Sequence, residues 1–279
     1  IQKETSMDKY ELEDLIGEGQ FSKVFKGIHK RKHTPIACKM EQLDQPFALL
    51  QHECKILQYL YKEGCHVVPQ IYWYGLHNNY RCCVMKLYEC DLGLYLQETT
   101  LTLQQRNKLF TQMINMIQHI HDHLVVHRDL KPENFMVSNN ELYLIDFGLA
   151  LFYTDENQDH NENTYKEHIV GNRIYASYFG LDGNTYSRRD DFLSLGYIYL
   201  YILNGNTPWD DPPMLNNPKQ YEPTLIRHPL NKWFRMHKQW CEMEKMDSLP
   251  NNIFQYLQYA YTLDYGKKPE YEIIQNLFA

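Results

Sequence analysis

The sequence contains no run of apolar residues near the roughly 20 that a membrane-spanning helix needs. Residues 1–7 also contain no apolar stretch of the kind that a signal peptide carries. We therefore expect a chain that does not enter a membrane and works in the cytoplasm, the nucleus or both.

Paired-cysteine motifs are also missing. The seven cysteines are an odd number and include no Cys-x-x-Cys pair, although Cys82 and Cys83 are adjacent. A disulfide framework or a zinc site is therefore not expected. Reduced thiols are typical of cytosolic and nuclear proteins.

An excess of positive charge is missing as well. The chain has 28 Lys plus Arg against 35 Asp plus Glu, a formal net charge of −7. Proteins that bind nucleic acid usually carry a basic stripe, so we expect no nucleic-acid partner. A nucleotide is still possible, because a few local donors and metal ions can hold its phosphates.

The hydrophobic pattern changes along the chain. Strand-like runs are predicted at residues 10–16, 23–28, 35–41, 70–74 and 81–87, and a helix over 47–61. Helical patterns dominate from residue 92, with the clearest helices predicted over 103–122 and 192–203 and further helices over 230–279. The fold class is therefore α+β, with a small strand-rich lobe that holds one main helix and a larger helical lobe. The 279 residues suffice for this arrangement.

A glycine-containing segment, residues 17–24, lies between two predicted strands. Glycine lets backbone N–H groups approach phosphate oxygens without a side chain in the way. A Gly-x-Gly pair alone more often marks a turn, and Ser22 stands where a third glycine is expected.

Lys39 lies in the predicted third strand, where alternation places it on the same face as Ala37. The ordinary interpretation of such a lysine is that it faces solvent. Glu53 in the following helix is a possible ionic partner, and a lysine held by a carboxylate can contact the α and β phosphates of a nucleotide.

Residues 126–135 read Val-His-Arg-Asp-Leu-Lys-Pro-Glu-Asn-Phe. Phosphoryl transfer requires alignment and charge neutralisation more than covalent chemistry. Asp129 supplies a carboxylate near an attacking hydroxyl, Lys131 can neutralise the γ-phosphate, and Asn134 offers an oxygen to Mg²⁺. Asp146, which follows a short apolar strand, is a second hard-oxygen ligand for Mg²⁺. With Lys39 and Glu53, these residues follow the order of the protein kinase signature.

Over essentially its whole length the sequence resembles the eukaryotic protein kinases, and the casein kinase 1 group in particular. Residues 175–177 stand where that group has its own variant of Ala-Pro-Glu. Residues 187–197 and the hinge-like residues 84–87 are also similar to that group.

The resemblance implies one bilobal protein kinase domain over residues 1–279, with the N-lobe at 1–87 and the C-lobe at 88–279. It implies a monomeric serine/threonine kinase that transfers the γ-phosphate of ATP to protein substrates with Mg²⁺. It also implies that Met85 is the gatekeeper, that the backbone of Leu87 pairs with adenine, and that Asp191 holds the catalytic loop from behind. The residues expected to contact ATP are Ile16, Gly17, Glu18, Gly19, Gln20, Phe21, Ser22, Val24, Ala37, Lys39, Met85, Leu87, Met136, Ile145 and Asp146.

The sequence departs from the group where a phosphorylated substrate is expected to dock. Ile174 replaces the group's arginine, and Asp211 and Gln220 stand where the group offers a glycine amide and a lysine. Residues 152–167 contain five acidic residues against Lys166 alone, so a phosphate would meet repulsion there. We expect weakened recognition of phosphate-primed substrates; the alternative is that Arg173 replaces the missing arginine.

Two other functions remain as alternatives. One is a pseudokinase that acts as a binding scaffold, and the other is a small-molecule phosphotransferase. The presence of Lys39, Asp129, Asn134 and Asp146 favours an active kinase over a scaffold. The His-Arg-Asp motif and the long activation segment oppose the small-molecule enzyme.

Overall fold

The computed structural model describes residues 7–19, 21–165, 170–207 and 250–279. The chain divides into two compact units. The first contains Ile1–Tyr95 and Glu133–Ala150, and the second contains Leu96–Pro132 and Leu151–Ala279. This division differs from the lobe boundary expected at residues 87 and 88, which stays a prediction.

Strands and helices are numbered here in chain order over the described residues. The strands are β1 (Tyr10–Glu18), β2 (Ser22–His29), β3 (Pro35–Gln42), β4 (Ile71–His77), β5 (Tyr80–Lys86), β6 (Cys90–Asp91), β7 (Val125–Val126), β8 (Phe135–Ser138), β9 (Glu141–Leu144) and β10 (Leu151–Phe152). The helices are α1 (Leu49–Lys62), α2 (Leu92–Glu98), α3 (Leu103–Asp122), α4 (Tyr178–Leu181), α5 (Arg188–Asn204), α6 (Asn251–Thr262) and α7 (Tyr271–Asn276).

The first unit contains an antiparallel sheet in the order β1-β2-β3-β5-β4. Successive residues of a strand face opposite sides, so β3 contributes to two clusters. Ile36 and Cys38 pack in a core on one side. On the other side, Ala37 packs with Leu50 of α1 and Met85 of β5. A smaller sheet in the order β6-β8-β9 completes this unit.

The second unit is mainly helical, and α5 is buried along most of its length. A Cβ atom at Gly196 of α5 would lie 2.6 Å from Leu257 Cδ2 and 2.9 Å from Tyr256 Cε1. Only glycine therefore lets α6 approach α5 this closely. The Tyr256 hydroxyl donates to the Phe192 carbonyl oxygen at 2.7 Å, which joins the two helices again.

The main predicted elements are confirmed, and their ends differ for local reasons. The helix predicted over residues 192–203 begins earlier, at Arg188, because Ser187 and Asp190 form a capping box there. The strand predicted over 70–74 extends to His77, which pairs with Tyr80 across a tight turn. Residues 208–249, which include part of the predicted C-terminal helices, lie outside the described residues.

The α+β class is confirmed by a strand-rich first unit and a helical second one. Within the ranges that the structure describes, no helix combines the length and apolar character needed to cross a membrane.

Candidate active-site residues

Lys39 forms two ion pairs within the first unit. Its Nζ lies 2.7 Å from Glu53 Oε2 and 2.9 Å from Asp146 Oδ1. The Glu53 side chain is only 3% exposed, so it depends on this partner for charge compensation. Burial alone would lower the pKa of Lys39, but the carboxylates of Glu53 and Asp146 outweigh burial and raise it. Lys39 therefore stays positively charged.

The residues predicted to contact ATP belong to the first unit. Ala37 lies directly opposite Met85 across β3 and β5, on the face against which α1 packs. Val24 pairs with Gly17 on one side and Lys39 on the other. Gln20 lies outside the described residues. The nucleotide-binding roles of these residues stay predictions.

Two hard-oxygen side chains predicted to bind a metal also belong to this unit. Asn134 ends a short 3-10 turn, and its carbonyl oxygen accepts the Ile145 N–H at 2.9 Å. This hydrogen bond sets the Asn134 segment beside Asp146. A carboxylate and an amide oxygen suit a divalent cation such as Mg²⁺, which usually takes few protein ligands and completes its shell with water and phosphate. The donor set therefore fits the metal that protein kinases use with ATP.

The backbone of Asp146 is unusual, because its φ of 64° lies in the left-handed region. Arg128, beside Asp129, has a φ of 72°. Such conformations are unfavourable for residues other than glycine and concentrate at functional sites.

Asp129 and Lys131 belong to the second unit. Lys131 Nζ lies 2.7 Å from Asp129 Oδ2, and the Asn172 N–H donates to Asp129 Oδ1 at 2.6 Å. Asp129 is only 8% exposed. Each carboxylate oxygen thus has a donor that restricts its orientation.

Asp191 anchors the backbone next to Asp129. Its carboxylate accepts the N–H groups of His127 at 2.6 Å and Arg128 at 2.8 Å. Burial would raise the pKa of Asp191, but the hydrogen bonds from His121 and from the backbone N–H of His127 lower it overall. These contacts are the ones expected for the role that the resemblance implied for Asp191, holding this loop from behind, and that role stays a prediction.

His121 extends this network to α7. Its Nε2 lies 3.1 Å from Asp191 and its Nδ1 lies 2.6 Å from the Tyr271 hydroxyl. Burial lowers the pKa of His121, so the ring is neutral and carries one N–H. Because Asp191 can only accept, we assign the proton to Nε2, and Tyr271 then donates to Nδ1. Sequence reasoning missed His121; the available signal was its place on the apolar face of α3, four residues after Ile117.

Ser177 and Asp190 connect the end of the 170–177 segment to α5. The Ser177 hydroxyl donates to Asp190, which also accepts the Ser187 N–H at 2.7 Å. Burial raises the pKa of Asp190 to about 6, despite these hydrogen bonds. The sequence showed Ser177 and Asp190 only as parts of similar motifs, without indicating that they contact each other.

The predicted phosphate-docking residues are only partly described. Arg173 is exposed and Ile174 is half-buried, whereas Asp211 and Gln220 lie outside the described residues. The acidic side chains described in this stretch are exposed: Asp155, Glu156, Asp159 and Glu162.

The Protein kinase domain family matches residues 10–268. Casein kinase I homolog 3 of Schizosaccharomyces pombe (strain 972 / ATCC 24843) is 31% identical to this chain over 283 residues. That match covers 96% of this chain and 61% of the yeast protein, so the chain spans about three fifths of its relative's length. The chain belongs to the protein kinase family and, within it, to the casein kinase 1 group.

The raised pKa of Asp190 predicts a pH-dependent stability. Between pH 4 and pH 6 the unfolded chain loses the Asp190 proton, whose ordinary pKa is 3.8, while the folded chain keeps it. The contribution of Asp190 to the free energy of unfolding therefore falls by about 3 kcal/mol as the pH rises through this window. In urea unfolding, the free energy of unfolding of the wild type should fall by that amount relative to that of Asp190→Asn between pH 4 and pH 6.

Asp182→Asn is the matched control, since this carboxyl lies just after α4 and is exposed. Its difference from the wild type should change little with pH. A constant difference between the wild type and Asp190→Asn from pH 4 to pH 7 would show that Asp190 ionises normally in the folded chain.

Proposed function

We propose that this chain is an active protein serine/threonine kinase that transfers the γ-phosphate of ATP with Mg²⁺. The observation that carries the proposal is the geometry at Asp129, whose two carboxylate oxygens are held by Lys131 and by the Asn172 amide. Fixed orientation is what phosphoryl transfer requires of the residue that receives the hydroxyl proton. The backbone beside Asp129 is in turn anchored by Asp191.

The other predicted residues have complementary roles. A bound divalent metal supplies charge neutralisation to the phosphates. Asp146 and Asn134 would hold that metal, and the ammonium of Lys39, kept charged by Glu53, would contact the α and β phosphates. Lys131 would balance charge at the γ-phosphate. Asp129 would accept the proton of the attacking hydroxyl.

Serine and threonine specificity is proposed from the sequence Lys131-Pro132-Glu133, the form of this loop that resembles serine/threonine kinases. The name of the yeast relative, Casein kinase I homolog 3, makes casein a suitable probe substrate. We further propose that the chain acts on proteins as a monomer in the cytoplasm or nucleus. Its buried, unpaired cysteines, such as Cys38 and Cys83, support a reducing location.

Asp129→Asn should lower kcat for phosphate transfer from ATP to casein by about 10²- to 10⁴-fold, because the amide cannot accept the hydroxyl proton. ATP binding, measured by calorimetry, should persist. Asp122→Asn is the matched control, since Asp122 pairs with Lys268 at the surface. If the wild type and Asp129→Asn both bind ATP and neither transfers phosphate, the chain is a scaffold instead.

We also propose that recognition of phosphate-primed substrates is weakened. Ile174 offers no charged donor, and its N–H is already bonded to Asn172 Oδ1 at 2.7 Å. The exposed carboxylates of Asp155 and Asp159 add negative charge to the preceding loop. Charge-assisted donors are the main source of phosphate affinity, so their replacement by an apolar side chain favours unprimed substrates.

A pair of peptides that differ only in one priming phosphoserine tests this proposal. The wild type should show similar kcat/KM for both peptides, and Ile174→Arg should gain a preference for the primed one. Ile174→Leu, which adds no charge, should behave like the wild type. A strong preference of the wild type for the primed peptide would refute the proposal and implicate Arg173.

A further inference from the structure

Asn172 organises the residues that follow it in the 170–177 segment. Its Oδ1 accepts the N–H groups of Ile174 at 2.7 Å and Tyr175 at 3.3 Å. Its carbonyl oxygen accepts the Ala176 N–H at 2.9 Å. An asparagine side chain that bonds the amide two residues later forms an Asx turn, which mimics a backbone turn. The side chain of Asn172 therefore binds two amides, and its main-chain carbonyl oxygen binds a third.

The same residue holds the predicted catalytic carboxylate. The Asn172 N–H donates to Asp129 Oδ1 at 2.6 Å, which is short for an amide donor and typical of a hydrogen bond to a charged group. Lys131 binds the other oxygen. The orientation of Asp129 thus depends on where the turn places the amide of Asn172.

Gly171 makes this close approach possible. Its φ is 87°, and a Cβ atom there would lie 2.4 Å from the Arg128 carbonyl oxygen and 3.2 Å from Asp129 Oδ1. A side chain at this position would push the segment away from the loop. Gly171 therefore lies against the Arg128 carbonyl oxygen, and Asn172, the next residue, bonds to the Asp129 carboxylate.

The 170–177 segment is also held at both of its ends. At its start, the Val170 carbonyl oxygen accepts the Tyr186 hydroxyl at 2.8 Å. At its end, Ser177 is bonded to the buried carboxylate of Asp190. Between these two anchors, the Asx turn determines the path of the chain.

We propose that Asn172 is a positioning residue for Asp129, in which the side chain sets the turn and the main-chain amide orients the carboxylate. This role rests on the proposed function, because it assumes that Asp129 receives the substrate proton. A purely structural turn would stabilise the segment without affecting the orientation of Asp129. The two possibilities therefore differ in kinetics.

Two substitutions separate these possibilities. Asn172→Ala removes the side-chain acceptor and should lower kcat about 10- to 100-fold, the scale of one lost hydrogen bond to a charged group, with KM for ATP unchanged. Asn172→Ser keeps an oxygen that can form a similar turn and should restore most of kcat.

Asn163→Ala is the matched control, since Asn163 is exposed and bonds to Asn184. Its kcat and its KM for ATP should equal those of the wild type. If Asn172→Ala keeps the wild-type kcat while Asp129→Asn is inactive, the function stands and the positioning role is refuted.

Hydrogen–deuterium exchange of the peptide that covers residues 170–176 tests the turn without any activity. Exchange should be faster in Asn172→Ala than in the wild type and slower again in Asn172→Ser. Equal exchange in Asn172→Ala and the wild type would overturn the inference, whether or not casein is phosphorylated. If the wild type transfers no phosphate, the proposed function fails, and the exchange result alone decides whether Asn172 organises the segment.

Discussion

The ion pairs of Lys39 with Glu53 and Asp146 are the interaction on which the first unit depends. Glu53 is almost completely buried in α1, where an unpaired carboxylate would be strongly destabilising. The pair therefore fixes α1 against β3, and the second contact fixes the Asp146 segment against the same lysine. Three elements that are distant in sequence are joined by one ammonium group, which is also the group predicted to meet the nucleotide phosphates.

A buried carboxylate has the corresponding role in the second unit. Asp191 binds two consecutive amides of the loop that carries Asp129, and His121 connects Asp191 to Tyr271. The charge on Asp191 is satisfied by donors that come from the loop and from α3. In each unit a buried carboxylate thus fixes a segment that carries residues predicted to act in catalysis, and each charge is tolerated only because its partners are in place.

The sequence predicted most of the elements, because their apolar residues follow periods of 2 and 3.6 and their turns contain the expected residues. It also indicated Lys39, Glu53 and Asp146 as candidate site residues, because their types and order are distinctive. It did not predict the contact of Asn172 with Asp129. The main-chain N–H of Asn172 makes this contact, and side-chain identity gives no signal for it. The link from His121 to Tyr271 was missed because it spans 150 positions and depends on how the helices pack.

The most direct test of this account compares two substitutions in α1 and at its end. Glu53→Gln removes the charge that holds Lys39, whereas Glu63→Gln changes a carboxylate that is 45% exposed. Phosphate transfer from ATP to casein should fall on the order of 100-fold in Glu53→Gln, because Lys39 loses its fixed position, and should stay unchanged in Glu63→Gln. Equal kcat values in the two variants would contradict the claim that the buried ion pair organises an active kinase.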